Sequence, residues 1–97
     1  METRGFDRIE RDLDLRACPC CKYLTLETVE AGSYEICPVC GWEDDLSQFE
    51  YPNLAGGANC PSLEQARRNF LEFGASEKRR LPRARPPKPS EIPPSPC

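Results

Sequence analysis

The sequence C-P-C-C at residues 18–21, followed fifteen residues later by C-P-V-C-G at residues 37–41, decides the fold of this chain. Two C-x-x-C pairs at this separation match the spacing of a four-cysteine zinc site. Each pair lets two thiolates leave one tight turn, a zinc knuckle, in the same direction. Two knuckles together supply four sulfurs at the corners of a tetrahedron, which is the geometry that Zn²⁺ prefers. Because the chain has no histidine, a mixed cysteine and histidine site is excluded.

The first knuckle contains a third cysteine, so its two ligands must be chosen among Cys18, Cys20 and Cys21. Adjacent cysteines do not both fit knuckle geometry, and the two-residue gap of the second pair selects Cys18 and Cys21. We therefore predict that one structural Zn²⁺ is bound by Cys18, Cys21, Cys37 and Cys40. Cys20 is then expected to point away, toward apolar packing.

The size and composition of the chain indicate that it needs such a metal to fold. Of its 97 residues only 38% are hydrophobic, and seven of its eleven prolines lie beyond residue 81. The part able to fold is small, and small domains rarely hold themselves together by core burial alone. Structural zinc can supply about 10 kcal/mol or more, so we expect the metal-free protein to be largely unfolded.

A secreted disulfide framework is the main alternative use of the cysteines. Their number, seven, is odd, and C-x-x-C spacing is short for a structural disulfide. The beginning M-E-T-R-G is charged and has no apolar region, which predicts no secretory signal. No apolar run approaches the roughly 20 residues of a membrane span. We therefore expect a reducing, cytoplasmic location and no membrane partner.

Charge is distributed unevenly along the chain, although the net charge is only −3. Residues 1–16 carry five acidic and four basic residues, giving −1. Residues 17–77 carry ten acidic and three basic residues, giving −7, whereas residues 78–97 carry one acidic and six basic residues, giving +5. The acidic central part opposes binding to nucleic acid, and only the basic end favours it.

Three segments follow from composition. Residues 1–16 form a charged leader or a short helix at about residues 6–14, since Phe6, Ile9 and Leu13 share one helical stripe. Residues 17–75 form a cysteine-rich zinc-binding domain. Residues 76–97 are a Pro/Arg-rich tail in which proline prevents regular helices and sheet ladders, so we expect disorder or polyproline II.

Within residues 17–75 we predict a β-hairpin followed by a helix. Residues 23–29 alternate and are rich in β-branched and aromatic types, residues 30–33 suit a turn, and residues 34–36 lead back to the second knuckle. Residues 62–73 carry helix signals at both ends: an N-cap Ser62 with Gln65 three residues later, and Gly74 as terminator. The apolar stripe of this helix is formed by Leu63, Ala66, Phe70 and Phe73.

The predicted fold is therefore a small, metal-stabilised α+β domain. It is zinc-ribbon-like, with a β-hairpin carrying two C-x-x-C knuckles and packed against one C-terminal helix. Three aromatic residues are expected to shield the sulfurs from water: Trp42, Phe49 and Tyr51. The acidic run Glu43, Asp44 and Asp45 is either a contact for a basic partner or hard cation, or a solvated turn.

Several separated motifs, in order, resemble the bacterial cysteine-rich CPCC family: C-P-C-C (18–21), Y-L-T-L (23–26), Y-E-I-C-P-V-C (34–40), W-E-D-D (42–45), and S-L, A, N-F and F-G-A within 62–75. The resemblance covers about residues 16–77, and the leader and tail lie outside it. It implies a small bacterial zinc-binding domain. It does not imply an activity.

The function that these observations favour is a non-enzymatic zinc-binding module that acts as an adaptor for a protein partner. Its predicted contact residues are Glu43, Asp44, Asp45, Arg67 and Arg68. A nucleic-acid-associated zinc ribbon that uses the basic tail is the first alternative.

An enzyme is the second alternative, either thiol-redox through Cys20 with Cys18 or Cys21, or a metallohydrolase. Four thiolate ligands leave no open position for water, and the chain offers no histidine as a general base. No catalytic residue is therefore predicted.

Overall fold

The computed structural model describes residues 15–28 and 30–93. The predicted helix at residues 6–14 and Cys97 lie outside the described residues. The strands are β1 (Arg16–Ala17) and β2 (Leu24–Leu26), and the helices are α1 (Leu46–Glu50) and α2 (Leu63–Phe73). Two 3₁₀ segments, Lys78–Arg83 and Pro89–Glu91, follow α2.

The two strands pair antiparallel across the first knuckle, with Arg16 opposite Leu26 and Ala17 opposite Leu24. A second antiparallel bridge joins Ile36 to Glu43 across the second knuckle. Each knuckle therefore lies at the tip of its own short hairpin. Each hairpin is closed by a backbone hydrogen bond across its own knuckle: the N–H of Cys18 donates to the carbonyl of Tyr23, and that of Cys37 to the carbonyl of Trp42, both at 2.9 Å. The knuckle turns themselves therefore reverse the chain.

The predicted pairing of residues 23–29 with residues 34–36 is wrong for the described part of these segments. The two segments are joined by a side chain instead of a ladder. The carboxylate of Glu35 accepts hydrogen bonds from the backbone N–H of Glu27 at 2.8 Å and of Thr28 at 3.3 Å.

Helix α2 has the bounds and caps that the sequence predicts. The Ser62 hydroxyl oxygen accepts from the backbone N–H of Gln65 at 3.1 Å, and Gly74 ends the helix in the left-handed conformation with φ of 90°. Leu63 and Ala66 are buried, and Phe70 and Phe73 are half-buried. The Gln65 side chain donates to Asn69 at 2.8 Å, so the reciprocal half of a capping box is replaced by a contact along the helix.

The apolar core is built around the cysteines. Helix α2 contributes Leu63 and Ala66, and the chain around the knuckles contributes Leu26, Val39 and Trp42. Trp42 is fully buried, as expected for a residue that shields the sulfurs. The other two aromatic residues do not have that role, since Phe49 is 41% and Tyr51 is 66% exposed.

Residues 76–93 are folded against the second knuckle, in contrast to the disordered tail expected from residue 76. The backbone N–H of Ser76 donates to the carbonyl of Cys40 at 2.8 Å, and that of Arg85 donates to Val39 at 3.2 Å. Arg85 also forms a two-pronged ion pair with Glu91, with distances of 2.9 and 2.8 Å. Proline excludes α-helix and sheet ladders but is compatible with the 3₁₀ and extended turns found here.

None of the helices in the described part of the chain is both long and apolar enough to cross a membrane.

Candidate metal centre

The two knuckles repeat the same hydrogen bonds. The carbonyl of Cys18 accepts from the N–H of Lys22 at 2.8 Å, and the carbonyl of Cys37 accepts from the N–H of Gly41 at 2.8 Å. Both turns end in positive φ, 74° at Lys22 and 87° at Gly41. Glycine adopts this conformation without steric cost, whereas lysine does not. The two turns are therefore equivalent in backbone, and only the first one carries backbone strain.

The knuckles bring together the four sulfurs chosen from the sequence. The Sγ atoms of Cys18 and Cys40 are 3.7 Å apart, and so are those of Cys21 and Cys37. All four sulfurs lie within 4.8 Å of one another and all four residues are buried. This group could hold a metal ion.

The remaining described cysteines lie outside that group. Cys20 is 4% exposed and belongs to the apolar core around the sulfurs, in agreement with its predicted orientation toward apolar packing. Cys60 is exposed.

Close packing of the sulfurs controls their ionisation. Hydrogen bonds from Cys18, Cys21 and Cys40 lower the pKa of Cys37 well below that of an ordinary thiol. Hydrogen bonding to Cys21 and Cys37, together with burial, raises the pKa of Cys18. One thiolate therefore forms readily while its neighbours resist ionisation. A divalent cation between the sulfurs would allow all four thiols to ionise, because its charge offsets the repulsion among four thiolates.

Two donors outside the four ligands reach the sulfurs. The hydroxyl of Thr25 is 3.0 Å from Sγ of Cys37, and the backbone N–H of Trp42 donates to Sγ of Cys40 at 3.4 Å. Donors to a thiolate spread its negative charge and orient it toward the metal. The sequence predicts a strand at Thr25 but not this contact, because no local pattern around Thr25 indicates it.

The register of the first hairpin explains why Thr25 reaches the cluster. Consecutive residues Arg16 and Ala17 pair with Leu26 and Leu24, so Thr25 is the extra residue of a bulge in β2. A bulge turns the side chain of its extra residue away from the regular alternation of a strand. Thr25 is accordingly 6% exposed and directed at the buried sulfurs.

The second knuckle is covered by the tail. A Cβ atom added at Gly41 would lie 2.6 Å from Cβ of Arg80, closer than two such atoms can approach. Glycine at residue 41 therefore avoids strain at positive φ, and the contact with Arg80 leaves no room for a Cβ atom there. The Arg80 guanidinium in turn lies 3.5 Å from the carboxylate of Glu43 and 3.9 Å from that of Glu77.

Two residues of the acidic run, Asp44 and Asp45, have contacts inside the fold, and the use of the run as a partner contact stays a prediction. Asp44 is fully buried, and its Oδ2 accepts from Arg16 at 2.8 Å and from the hydroxyl of Ser33 at 2.9 Å. Asp45 is 7% exposed and caps α1 by accepting from the N–H of Gln48 at 3.2 Å. Asp44 and Asp45 are therefore not solvated, whereas Glu43 is half-buried.

The remaining predicted contact residues differ in accessibility. Glu43 is half-buried beside Arg80. Arg67 is half-buried, and its Nε donates to the carbonyl of Pro19 at 2.9 Å, which ties α2 to the first knuckle. Arg68 is exposed and donates to Gln65 at 3.0 Å.

Comparison with known proteins agrees with this architecture. No curated protein matches the chain. The family model described as Cysteine-rich CPCC matches residues 16–91, which include both knuckles, α2 and the folded part of the tail. The match therefore extends beyond residue 77, where the motif-based resemblance ends. Since it spans most of the sequence, the chain belongs to the cysteine-rich CPCC family.

Proposed function

We propose that this chain is a non-enzymatic zinc-binding domain, held by one structural Zn²⁺, that serves as an adaptor for a protein partner. The single observation that carries the zinc assignment is the group of four buried sulfurs from Cys18, Cys21, Cys37 and Cys40. In a regular tetrahedron with Zn–S bonds of about 2.3 Å, the sulfurs are about 3.8 Å apart. The sulfur distances of 3.7 Å within two of the pairs fit that size.

A structural role for the metal is favoured over a catalytic one by the donor set. Catalytic zinc typically has three protein ligands and keeps a fourth position for water or substrate. Four cysteines fill a tetrahedral shell, and all four are buried here. The hydrolytic and thiol-redox alternatives therefore gain no support from this geometry.

The nucleic-acid alternative depends on the basic tail, and much of that positive charge is used within the fold. Arg79 and Arg80 lie beside Glu77, with N–O distances of 2.9 and 3.9 Å, and Arg85 is paired with Glu91 at 2.8 Å. Such pairs reduce the charge available to phosphates. A protein partner is therefore preferred to nucleic acid in this proposal.

An experiment on metal content and folding tests the zinc assignment. The full chain is purified under reducing conditions, its metal is measured by mass spectrometry, and circular dichroism is recorded before and after a strong chelator. We expect one zinc per chain, loss of structure on chelation and recovery on adding Zn²⁺, because small zinc domains fold with their metal.

Two cysteine variants provide a matched comparison. Cys37→Ser should abolish stoichiometric zinc binding, whereas Cys60→Ser should retain it because Cys60 is exposed and outside the cluster. A protein that keeps its spectrum after all metal has been removed would contradict the structural role. Iron at stoichiometric amounts would contradict the identity of the metal.

A further inference from the structure

A groove of about 300 Å³ lies between the first knuckle and α2. Its apolar lining comes from Tyr23, Phe70 and Leu71, with Cys20 and Cys21 beside them. Tyr23 and Phe70 meet edge to face with ring centroids 6.2 Å apart, which holds both rings in place. Leu71 is 85% exposed, more than any other large apolar residue in the described part of the chain. This groove thus combines a wall of two packed aromatic rings with a solvent-exposed leucine side chain.

The charge around this groove is opposite to that of the surrounding domain. Residues 17–77 contain only three basic residues, and they are Lys22, Arg67 and Arg68. Lys22 and Arg67 line the groove, and no acidic residue of the described part of the chain does so. Arg68, the next residue of α2, is exposed and lies outside the lining. Among the described residues, neither Lys22 nor Arg67 has a salt-bridge partner. Two of the three basic residues in a segment with charge −7 therefore lie at one site.

The backbone at Lys22 gives an independent reason to look for a ligand here. Its φ of 74° is strained for lysine, and the equivalent position of the second knuckle is occupied by glycine. Folding alone would favour glycine at residue 22. A side chain kept in a strained conformation is a reason to examine it for a binding role.

From the apolar wall and the local positive charge we infer that this knuckle groove binds an acidic peptide segment of a partner protein, with one large apolar side chain inserted beside Leu71. The inference rests on the proposed adaptor function and names the surface that would perform it. The apolar anchor would bury Leu71 and the exposed faces of Tyr23 and Phe70. Flanking carboxylates would pair with Lys22 and Arg67 and would speed association with the partner.

The experiment uses the zinc-loaded full chain and two panels of twelve-residue peptides. Each peptide has a central Leu, Phe or Trp, flanked by Asp and Glu in one panel and by Lys and Arg in the other. Binding is measured by fluorescence polarisation, and the contacted residues are identified by NMR. We expect saturable binding from the acidic panel only, weakening as salt is raised, with the largest shifts at Lys22, Tyr23 and Leu71.

Matched variants separate the groove from general effects. Leu71→Ser and Lys22→Glu should each weaken peptide binding about tenfold, corresponding to the loss of an anchor contact or a charge pair. Leu54→Ser and Arg83→Glu change an exposed leucine and an exposed arginine outside the groove lining, and they should leave binding unchanged. Zinc content and the circular dichroism spectrum are measured for every variant before binding is compared.

Several outcomes would overturn the inference. These are equal binding of both panels, no binding of the acidic panel, or binding that is indifferent to Leu71→Ser and Lys22→Glu. A zinc-loaded chain that dimerises, with the dimer abolished by Leu71→Ser, would assign the groove to a second copy instead. In each of these cases bound zinc leaves the metal assignment intact, whereas absence of zinc contradicts the proposed function itself. If Lys22 serves only to offset thiolate charge, Lys22→Glu will release zinc faster while Leu71→Ser has no effect on peptide binding.

Discussion

The buried carboxylate of Asp44 joins parts of the chain that are distant in sequence. It binds Arg16, which precedes the first knuckle, and the backbone N–H groups of Gly32 and Ser33 at 3.1 and 3.2 Å. Burial by itself raises the pKa of Asp44, but the hydrogen bonds from Arg16 and Ser33 outweigh it, so the pKa lies below its ordinary value. Asp44 is therefore ionised in the folded protein and stabilises it.

Replacing Asp44 with Asn should destabilise the zinc-loaded protein by about 2 kcal/mol at pH 7. The substitution leaves Arg16 without its charged partner. The expected loss of stability is smaller than for a fully buried ion pair, because the Arg16 side chain is 21% exposed. Urea denaturation of the two proteins measures the difference. Glu50→Gln, at an exposed residue, is the control and should change stability by no more than about 0.5 kcal/mol.

The pH dependence of that difference has a definite sign. A carboxyl group with a lowered folded-state pKa contributes stability above its unfolded-state pKa of about 3.9, and loses it as pH falls through the folded-state pKa. Both values lie below pH 5, so the stability difference between wild type and Asp44→Asn should be constant between pH 5 and pH 8. A difference that shrinks within this range would contradict the assigned ion pair.

At the scale of elements, the bulge in β2 connects the first hairpin to the second knuckle. Regular pairing would place Thr25 on the face opposite to that of Leu24 and Leu26, with no special reason to meet a sulfur. The bulge instead directs its hydroxyl to within 3.0 Å of Sγ of Cys37. The strand therefore places a hydroxyl group beside a candidate metal ligand without supplying a ligand itself.

Thr25→Val should lower zinc affinity by about tenfold or more, because removal of a donor to a metal ligand typically has an effect of that size. Competition with a chromophoric chelator measures the affinity. Thr25→Ser keeps the hydroxyl and should behave like the wild-type protein. Equal affinities for the Val and Ser variants would show that the hydroxyl contact does not affect the metal.

At the scale of the whole molecule, residues 76–93 form a cover over the second knuckle. Its contacts with the knuckle include the backbone hydrogen bonds of Ser76 to Cys40 and of Arg85 to Val39, and the packing of Arg80 on Gly41. The ion pair of Arg85 with Glu91 joins two parts of this segment, and the 3₁₀ segment Pro89–Glu91 contacts β2. This segment therefore packs on the backbone of the second knuckle.

Truncation after Ser76 should lower the melting temperature of the zinc-loaded protein and accelerate zinc release to a chelator. Each 1 kcal/mol lost corresponds to a decrease of about 4–8 °C for a domain of this size. Glu91→Gln breaks only the ion pair with the half-buried Arg85, so it should have a smaller effect in the same direction. A truncated chain with unchanged melting and zinc release would show that the tail is dispensable for the fold.

Helix α2 and the grouping of the four sulfurs were predictable because their signals are local. Ser62 and Gly74 cap the helix through contacts a few residues away, and each C-x-x-C turn is closed by its own backbone. The hairpin pairing was not predictable in the same way. The sequence of residues 23–29 favours a strand whichever segment pairs with it. The observed pairing with β1 depends on the first knuckle, which brings Arg16 and Ala17 alongside β2.

By itself, the sequence determined the candidate ligands, the bounds of α2 and the family resemblance, since these depend on residue chemistry and spacing along the chain. Only the tertiary structure decided that Asp44 is an internal anchor, that Thr25 meets Cys37 and that the proline-rich tail is folded. Those properties arise where distant segments exclude water from one another. The energy of a charge or a hydroxyl group there depends on its neighbours in space, which spacing along the chain does not record.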